Sequence, residues 1–174
     1  MKKVLYLVSV SILASLLVVS CAQTTQQAKT DVKQETTTKV KADAGDGGDM
    51  AVRAINKQVE DFAIDGFPGG SAKLSSNEDL ENMKKIVGLV KPIIESVPAG
   101  YTMQITGHAA NNDSASRQKS VSTARAAKIY SELKKAGVPA SKMSYKGVGI
   151  AEPISGYSDK DAKQRSVSFK AVKK

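Results

Sequence analysis

One segment limits the possible folds of this chain more than any other. Tyr101, Met103 and Ile105 alternate with Thr102, Gln104 and Thr106, the period-two pattern of a strand with one buried face. The strand runs into Gly107-His108 and then a polar loop. A long helix is expected from about Ser116 to Ala136, with Ser122, Ala126, Ile129, Leu133 and Ala136 on its core stripe. Gly137 and Pro139 stop it. Met143 to Gly149 reads as a second strand ending in a Gly-Val-Gly turn.

The flanking pattern extends this alternation. Val52, Ile55, Val59 and Phe62 recur at helical spacing from Met50 onward, and Phe67-Pro68-Gly69-Gly70 breaks the run. A brief strand is expected near Ala63 to Phe67 or Ala72 to Leu74. Ser75-Ser76-Asn77 can cap the next helix, with Glu78 and Asp79 favourable in its first turn. Leu80, Met83, Val87, Val90, Ile94 and Val97 form its apolar stripe. Pro92 predicts a kink or break near Lys91, because its ring crowds the Gly88 carbonyl and it lacks an N–H. Glu152-Pro153 opens a loop, Asp159 to Lys163 can form a helical turn, and Ser166 to Val172 reads as the last strand. The predicted class is mixed α/β (α+β): one mixed sheet of about four strands covered by helices. Residues 50–174 form this single domain.

The beginning of the chain reads as an address. Lys2 and Lys3 precede an apolar run from Val4 to Val19, shorter than the roughly 20 residues of a membrane span. Residues 1–20 are expected to be a signal peptide. Val18-Val19-Ser20-Cys21 looks like a bacterial lipobox, with cleavage before Cys21 and acyl chains such as palmitate added to it. Cys21 is the only cysteine, so no intrachain disulfide is possible. Residues 21–49 hold the lipidated Cys and a Gln-, Thr-, Lys-, Ala- and Gly-rich tether, too poor in apolar side chains to offset its ordering entropy. About 28 residues reach at most about 95 Å when extended.

The formal charge is +9, and 24 Lys+Arg against 17 Asp+Glu leaves +7 once Lys2 and Lys3 are removed with the signal. Nucleic acid is not expected as a partner, since an exported chain rarely meets it and there is no Trp to stack on bases. Lipid headgroups and cell-wall carboxylates are the expected acidic neighbours. His108 is the only histidine, and no zinc spacing, phosphate loop or catalytic serine motif is present. The expectation is a protein with no enzyme activity, no cofactor and no metal.

Ile105-Thr106-Gly107-His108, then Val121-Ser122-Thr123-Ala124-Arg125-Ala126, then Gly147-Val148-Gly149 and Glu152-Pro153, and finally Gln164-Arg165-Ser166-Val167, form an ordered set. That set resembles the OmpA-like C-terminal, peptidoglycan-associating domain over about Leu74 to Val172. With a lipidated Cys and a tether, the pattern is also similar to Pal and spirochaetal OmpA-like lipoproteins. The resemblance implies that an acid in the loop after Gly-His binds the ammonium of diaminopimelate in the wall's stem peptide. It implies that Arg125 binds the neighbouring carboxylate, for which a guanidinium is suited. The candidate ligand-binding residues are Arg125, Gln118, Ala109, Ala110, Asn111, Asn112, Gln164 and Arg165.

This chain departs from that pattern. Ala110 stands at the acid's position, Gln118 and Gln164 replace the common Asn residues, and Ser166 replaces a second Arg. Asp113 is a possible substitute acid in the same loop. Two functions are weighed, of which the first is the expected one and the second its alternative. One is an outer-membrane-anchored lipoprotein that binds peptidoglycan non-covalently, held to lipid through acylated Cys21 and facing the periplasm or the cell surface. The other is an OmpA-like lipoprotein that has lost diaminopimelate binding and acts as a structural or protein-interaction module with envelope proteins.

Overall fold

A computed structural model describes residues 46–74 and 76–174. In chain order the elements are α1 (Asp46–Val59), β1 (Ala63–Ile64), α2 (Asn77–Glu95), β2 (Tyr101–His108), α3 (Ala115–Lys135), β3 (Met143–Gly149) and β4 (Val167–Lys173), with 3-10 turns at Ala140–Lys142 and Ala162–Gln164. The sheet order is β1-β4-β2-β3. β2 pairs parallel with β3 (Ile105 opposite Tyr145) and antiparallel with β4 (Ile105 opposite Phe169), so the sheet is mixed as expected. The signal peptide, Cys21 and most of the tether lie outside the described residues.

Caps account for the helix boundaries. Ser76 Oγ accepts the Asp79 N–H at 3.0 Å and starts α2. Ser114 caps α3, which starts at Ala115, one residue before the expected Ser116. At its end the Gly137 N–H reaches the Lys134 carbonyl at 3.0 Å and the Val138 N–H reaches Leu133 at 3.0 Å. Gly137 has φ +94°, a conformation that glycine adopts without a Cβ penalty.

Four expectations need correction. Helix α1 begins at Asp46, so residues 46–49 belong to the fold and not to the tether. Its first turn is tied down where the Tyr101 hydroxyl bonds to the Asp49 carboxylate. Helix α2 is continuous through Pro92 to Glu95. The proline stands one turn from the end, so a single missing backbone bond is tolerated, and the Ser96 N–H still reaches the Pro92 carbonyl at 3.1 Å. Thr102 and Thr106, expected on the open face of β2, are buried along with Met103 and Ile105, while Gln104 is half-buried. The helical turn after the 150s loop falls at Ala162–Gln164, within and just past the expected stretch.

The core is one cluster. Val90 and Ile94 of α2, Ile129 and Leu133 of α3, and Met103 and Ile105 of β2 are all fully buried within it. Beyond the two-residue β1, the open edge of β4 is covered by Asn56 of α1. Its Nδ2 donates to the Ala171 carbonyl at 3.1 Å, and its Oδ1 accepts the Ala171 N–H at 2.7 Å. An amide thus satisfies edge groups that water or another chain would otherwise take.

Two glycines let α3 lie directly on the sheet. A Cβ at Gly107 would collide with the Ser122 carbonyl, and one at Gly147 would collide with the backbone N and Oγ1 of Thr123. Ser122 Oγ accepts the Gly149 N–H at 2.9 Å across the same contact. This contact sets the height of α3 over the sheet. It therefore sets where Gln118 and Arg125, above and below it on the helix, present their side chains.

Candidate functional site: a cationic cavity beside the β2–α3 loop

Arg125 is the largest fully buried side chain among the described residues, with 1% of its surface exposed. Its charge is held by backbone carbonyls. Nε donates to Ser71 O, Nη1 to His108 O and Nη2 to Pro68 O, each at 2.9 Å. The Phe67 ring centroid lies 5.4 Å from its Cζ. A guanidinium has five N–H groups, so these bonds leave two uncommitted. Burial first, and then repulsion from Arg165, bring the Arg125 pKa down to about 10, still charged at neutral pH.

The carbonyls at Pro68 and Ser71 belong to the loop between β1 and α2. Arg165 holds the same loop, its Nε donating to Phe67 O at 2.9 Å. Phe67-Pro68-Gly69-Gly70, expected only to end a helical run, is thus a strap fastened by two arginines. Gly70 takes φ +67° within it.

Strap, loop and helix enclose a cavity of about 220 Å³. Ala109, Ala110, Asn112, Gln118, Arg125 and Arg165 line it, six of the candidate ligand-binding residues. Asn111 and Gln164 do not. Asn111 ties two loops together: its N–H donates to Asp159 O at 2.7 Å, its Nδ2 to the Asp159 carboxylate at 2.8 Å, and its Oδ1 accepts from Gln118 Nε2 at 3.2 Å. Gln164 clamps the loop after β3, accepting the Ile154 N–H at 2.7 Å and donating to Ile154 O at 3.0 Å and Tyr157 O at 3.3 Å. Both are positioning residues for loops, not cavity walls. Ser166, at the position of the family's second Arg, is buried and its Oγ has no partner among the described residues.

Asp113 also lines the cavity, but its carboxylate is engaged. Oδ2 pairs with Arg117 Nε at 2.8 Å, and Oδ1 accepts the Ser114 N–H at 2.7 Å. Arg117 is a cavity residue that the sequence reasoning missed. Its signal was present: it precedes Arg125 by eight residues, about two helical turns, and so shares its side of α3.

His108 sits at the junction. Its Nδ1 donates to the Glu152 carbonyl at 2.8 Å, since a carbonyl only accepts, so Nε2 accepts from Ser168 Oγ at 2.8 Å. Burial, the largest influence, lowers its pKa and favours the neutral ring.

A family model described as the OmpA family matches residues 66–166, more than half of the chain. The chain belongs to the OmpA family. No curated protein sequence matches it. Among solved structures, this OmpA-family domain is similar to the C-terminal domain of Helicobacter pylori MotB, at 15% identity and a TM-score of 0.53, over 65% of this chain and 85% of that one. It is similar to the peptidoglycan-associated lipoprotein from Burkholderia pseudomallei, at 14% identity and a TM-score of 0.51, over 70% of this chain and 99% of that one. It is also similar to the OmpA-like domain of FopA1 from Francisella tularensis subsp. tularensis SCHU S4, at 18% identity and a TM-score of 0.50, over 63% and 69%. At such identities the likeness establishes the OmpA-like fold alone.

Proposed function

We propose that this chain is a lipoprotein of the bacterial outer membrane that binds peptidoglycan non-covalently and so links two envelope layers, without catalysis. The observation that carries this reading is the convergence of Ala109, Ala110, Asn112, Gln118, Arg125 and Arg165 on one cationic cavity. Family membership supports it, and the solved relative from Burkholderia pseudomallei is named for its association with peptidoglycan. Anchoring rests on the Val-Val-Ser-Cys21 pattern.

The test is co-sedimentation of the chain from Ala22 onward with purified peptidoglycan over a salt series. Saturable binding that persists at moderate salt is expected. Binding that disappears with modest salt would reduce the interaction to diffuse charge attraction. Arg117→Gln is the informative variant. Arg117 lies at the cavity but is largely exposed, so its loss should weaken binding without unfolding the domain. Arg125→Ala is a poor test, because it strips the partner from three backbone carbonyls. Mass spectrometry of the envelope-extracted protein tests acylation, and an unmodified Cys21 would remove the anchor.

Ala110 favours a second reading, in which the domain has lost diaminopimelate binding and serves as a structural or protein-interaction module. A methyl group cannot accept a hydrogen bond from an ammonium. No sedimentation of the natural chain, with binding restored by Ala110→Asp, would select that reading.

A further inference from the structure

The charges around the cavity are wrong for a ligand carrying a free ammonium. Arg117, Arg125 and Arg165 line it against a single carboxylate, Asp113, so its lining carries a formal +2 (three cations less one anion). That carboxylate is already paired with Arg117 Nε and the Ser114 N–H. The N-terminus of α3 opens beside the cavity with no acidic residue in its first turn, which adds the positive end of a helix dipole. Burial first, and then the neighbouring Arg165, lower the Arg125 pKa, so the two guanidiniums repel each other across the cavity. An entering ammonium meets net repulsion, whereas a carboxylate relieves it.

Gln118 supplies an independent observation. Its Nε2 donates to the Asp113 carbonyl at 2.6 Å and to Asn111 Oδ1 at 3.2 Å. The Asp113 carbonyl can only accept, so the orientation of the amide is fixed. Its Oε1 is then buried with no partner among the described residues, although Gln118 itself lines the cavity. An orphaned acceptor of this kind calls for an N–H donor. Besides Asn112 and Val121 the remaining walls are small: Gly69, Gly70, Ala109 and Ala110 leave room for a methyl-sized side chain.

We propose that the cavity receives the C-terminal end of a peptide, its carboxylate on the arginines and its last amide N–H on Gln118 Oε1, and that it does not recognise a free amino group. The inference rests on the reading of this cavity as the wall-binding site and narrows its ligand to a free carboxylate end of a stem peptide. Inorganic phosphate shares the charge but has neither an N–H nor a small side chain for the walls.

The test uses the full chain purified in detergent, with its arginine Nε–H signals followed by NMR. The probes are N-acetyl-alanyl-alanine in both enantiomeric forms, the same compounds as C-terminal amides, meso-diaminopimelate and inorganic phosphate. One acetylated dipeptide acid should bind at least about tenfold more tightly than its amide, a difference of about 1.4 kcal/mol. Diaminopimelate and phosphate should bind no more tightly than that acid. Ala110→Asp should weaken the acid by about tenfold, by adding a negative charge to the wall. Equal binding of acid and amide, no binding of either enantiomer, or tighter binding of diaminopimelate or phosphate would overturn the proposal. Sedimentation with peptidoglycan separates the two levels. Wall binding with which the acid fails to compete sinks the carboxylate-end proposal and spares the wall reading. Binding of the acid without any wall binding does the reverse.

Discussion

Helix α3 meets two different surroundings within a few turns. Around Ser122 and Thr123 it presses on Gly107 and Gly147 so closely that not even a methyl group fits. Toward Gln118 and Arg125 its side chains reach a cavity of about 220 Å³. The first region is backbone against backbone, and the second is side chains, a loop and a strap. The difference teaches a division of labour. A contact without adjustable atoms fixes the helix, and that fixed helix allows the cavity wall to change residue by residue. The departures at Ala110 and Gln118 fall in the tolerant region, while both glycines of the tight contact are present.

The largest effect should come from breaking the tight contact. Gly107→Ala forces the α3 backbone off the sheet and should cost about 4 kcal/mol or more. Urea denaturation measures this, and a loss below about 1 kcal/mol would mean that the contact is not rigid. Arg125→Ala comes next, at about 3 kcal/mol, since three carbonyls lose a charged donor and a buried side chain becomes a void. Thermal and chemical denaturation of this variant would show whether the cavity floor is structural. Gln164→Ala should cost about 1.5 kcal/mol. It should also speed hydrogen exchange and proteolysis at Ile154–Tyr157, the loop it clamps.

The residue where the two regions meet adds a pH dependence. The folded-state pKa of His108 is lowered by burial, so the unfolded chain binds its proton first as the pH falls. Stability should be flat with respect to this group above about pH 7. It should decline as the pH drops below the ordinary histidine value of about 6.5, with a slope of at most about 1.4 kcal/mol per pH unit. Denaturation of the natural chain and of His108→Asn across this range checks the assignment, because the slope should disappear in the variant. The smallest effect is expected at the cavity wall. Ala110→Asp should change stability by no more than about 0.5 kcal/mol, since the new carboxylate enters a cavity already lined by arginines. A large loss there would contradict the claimed tolerance.

The strands and helices were legible because their signals are local. The alternation from Tyr101 to Thr106, the α3 stripe from Ser122 to Leu133 and the Gly137 stop all lie within a few turns of chain. The start of α1 at Asp46, ahead of the expected Met50, was not legible because the Tyr101–Asp49 bond joins residues far apart in sequence. Of the kink or break expected near Lys91, the break is absent because helix-breaking strength depends on how many backbone bonds remain to be lost beyond the proline. In the candidate site, the residues around Ala109 and Gln118 were legible as a group through their place between strand and helix. That the amides of Gln164 and Asn111 turn toward loops was not legible, because no local pattern records which way a side chain turns.

By itself the sequence determined the alternation of elements, the glycines that permit close packing, the cation-rich composition of α3, and the family. Those properties follow from short-range periodicity, steric freedom and residue chemistry. Only the tertiary structure decided that Phe67 to Ser71 straps over Arg125, that Arg117 joins the cavity, that Asp113 is already engaged, and that Gln118 keeps one acceptor unpaired. These depend on distances between segments far apart along the chain, and such distances exist only once the helices have settled on the sheet.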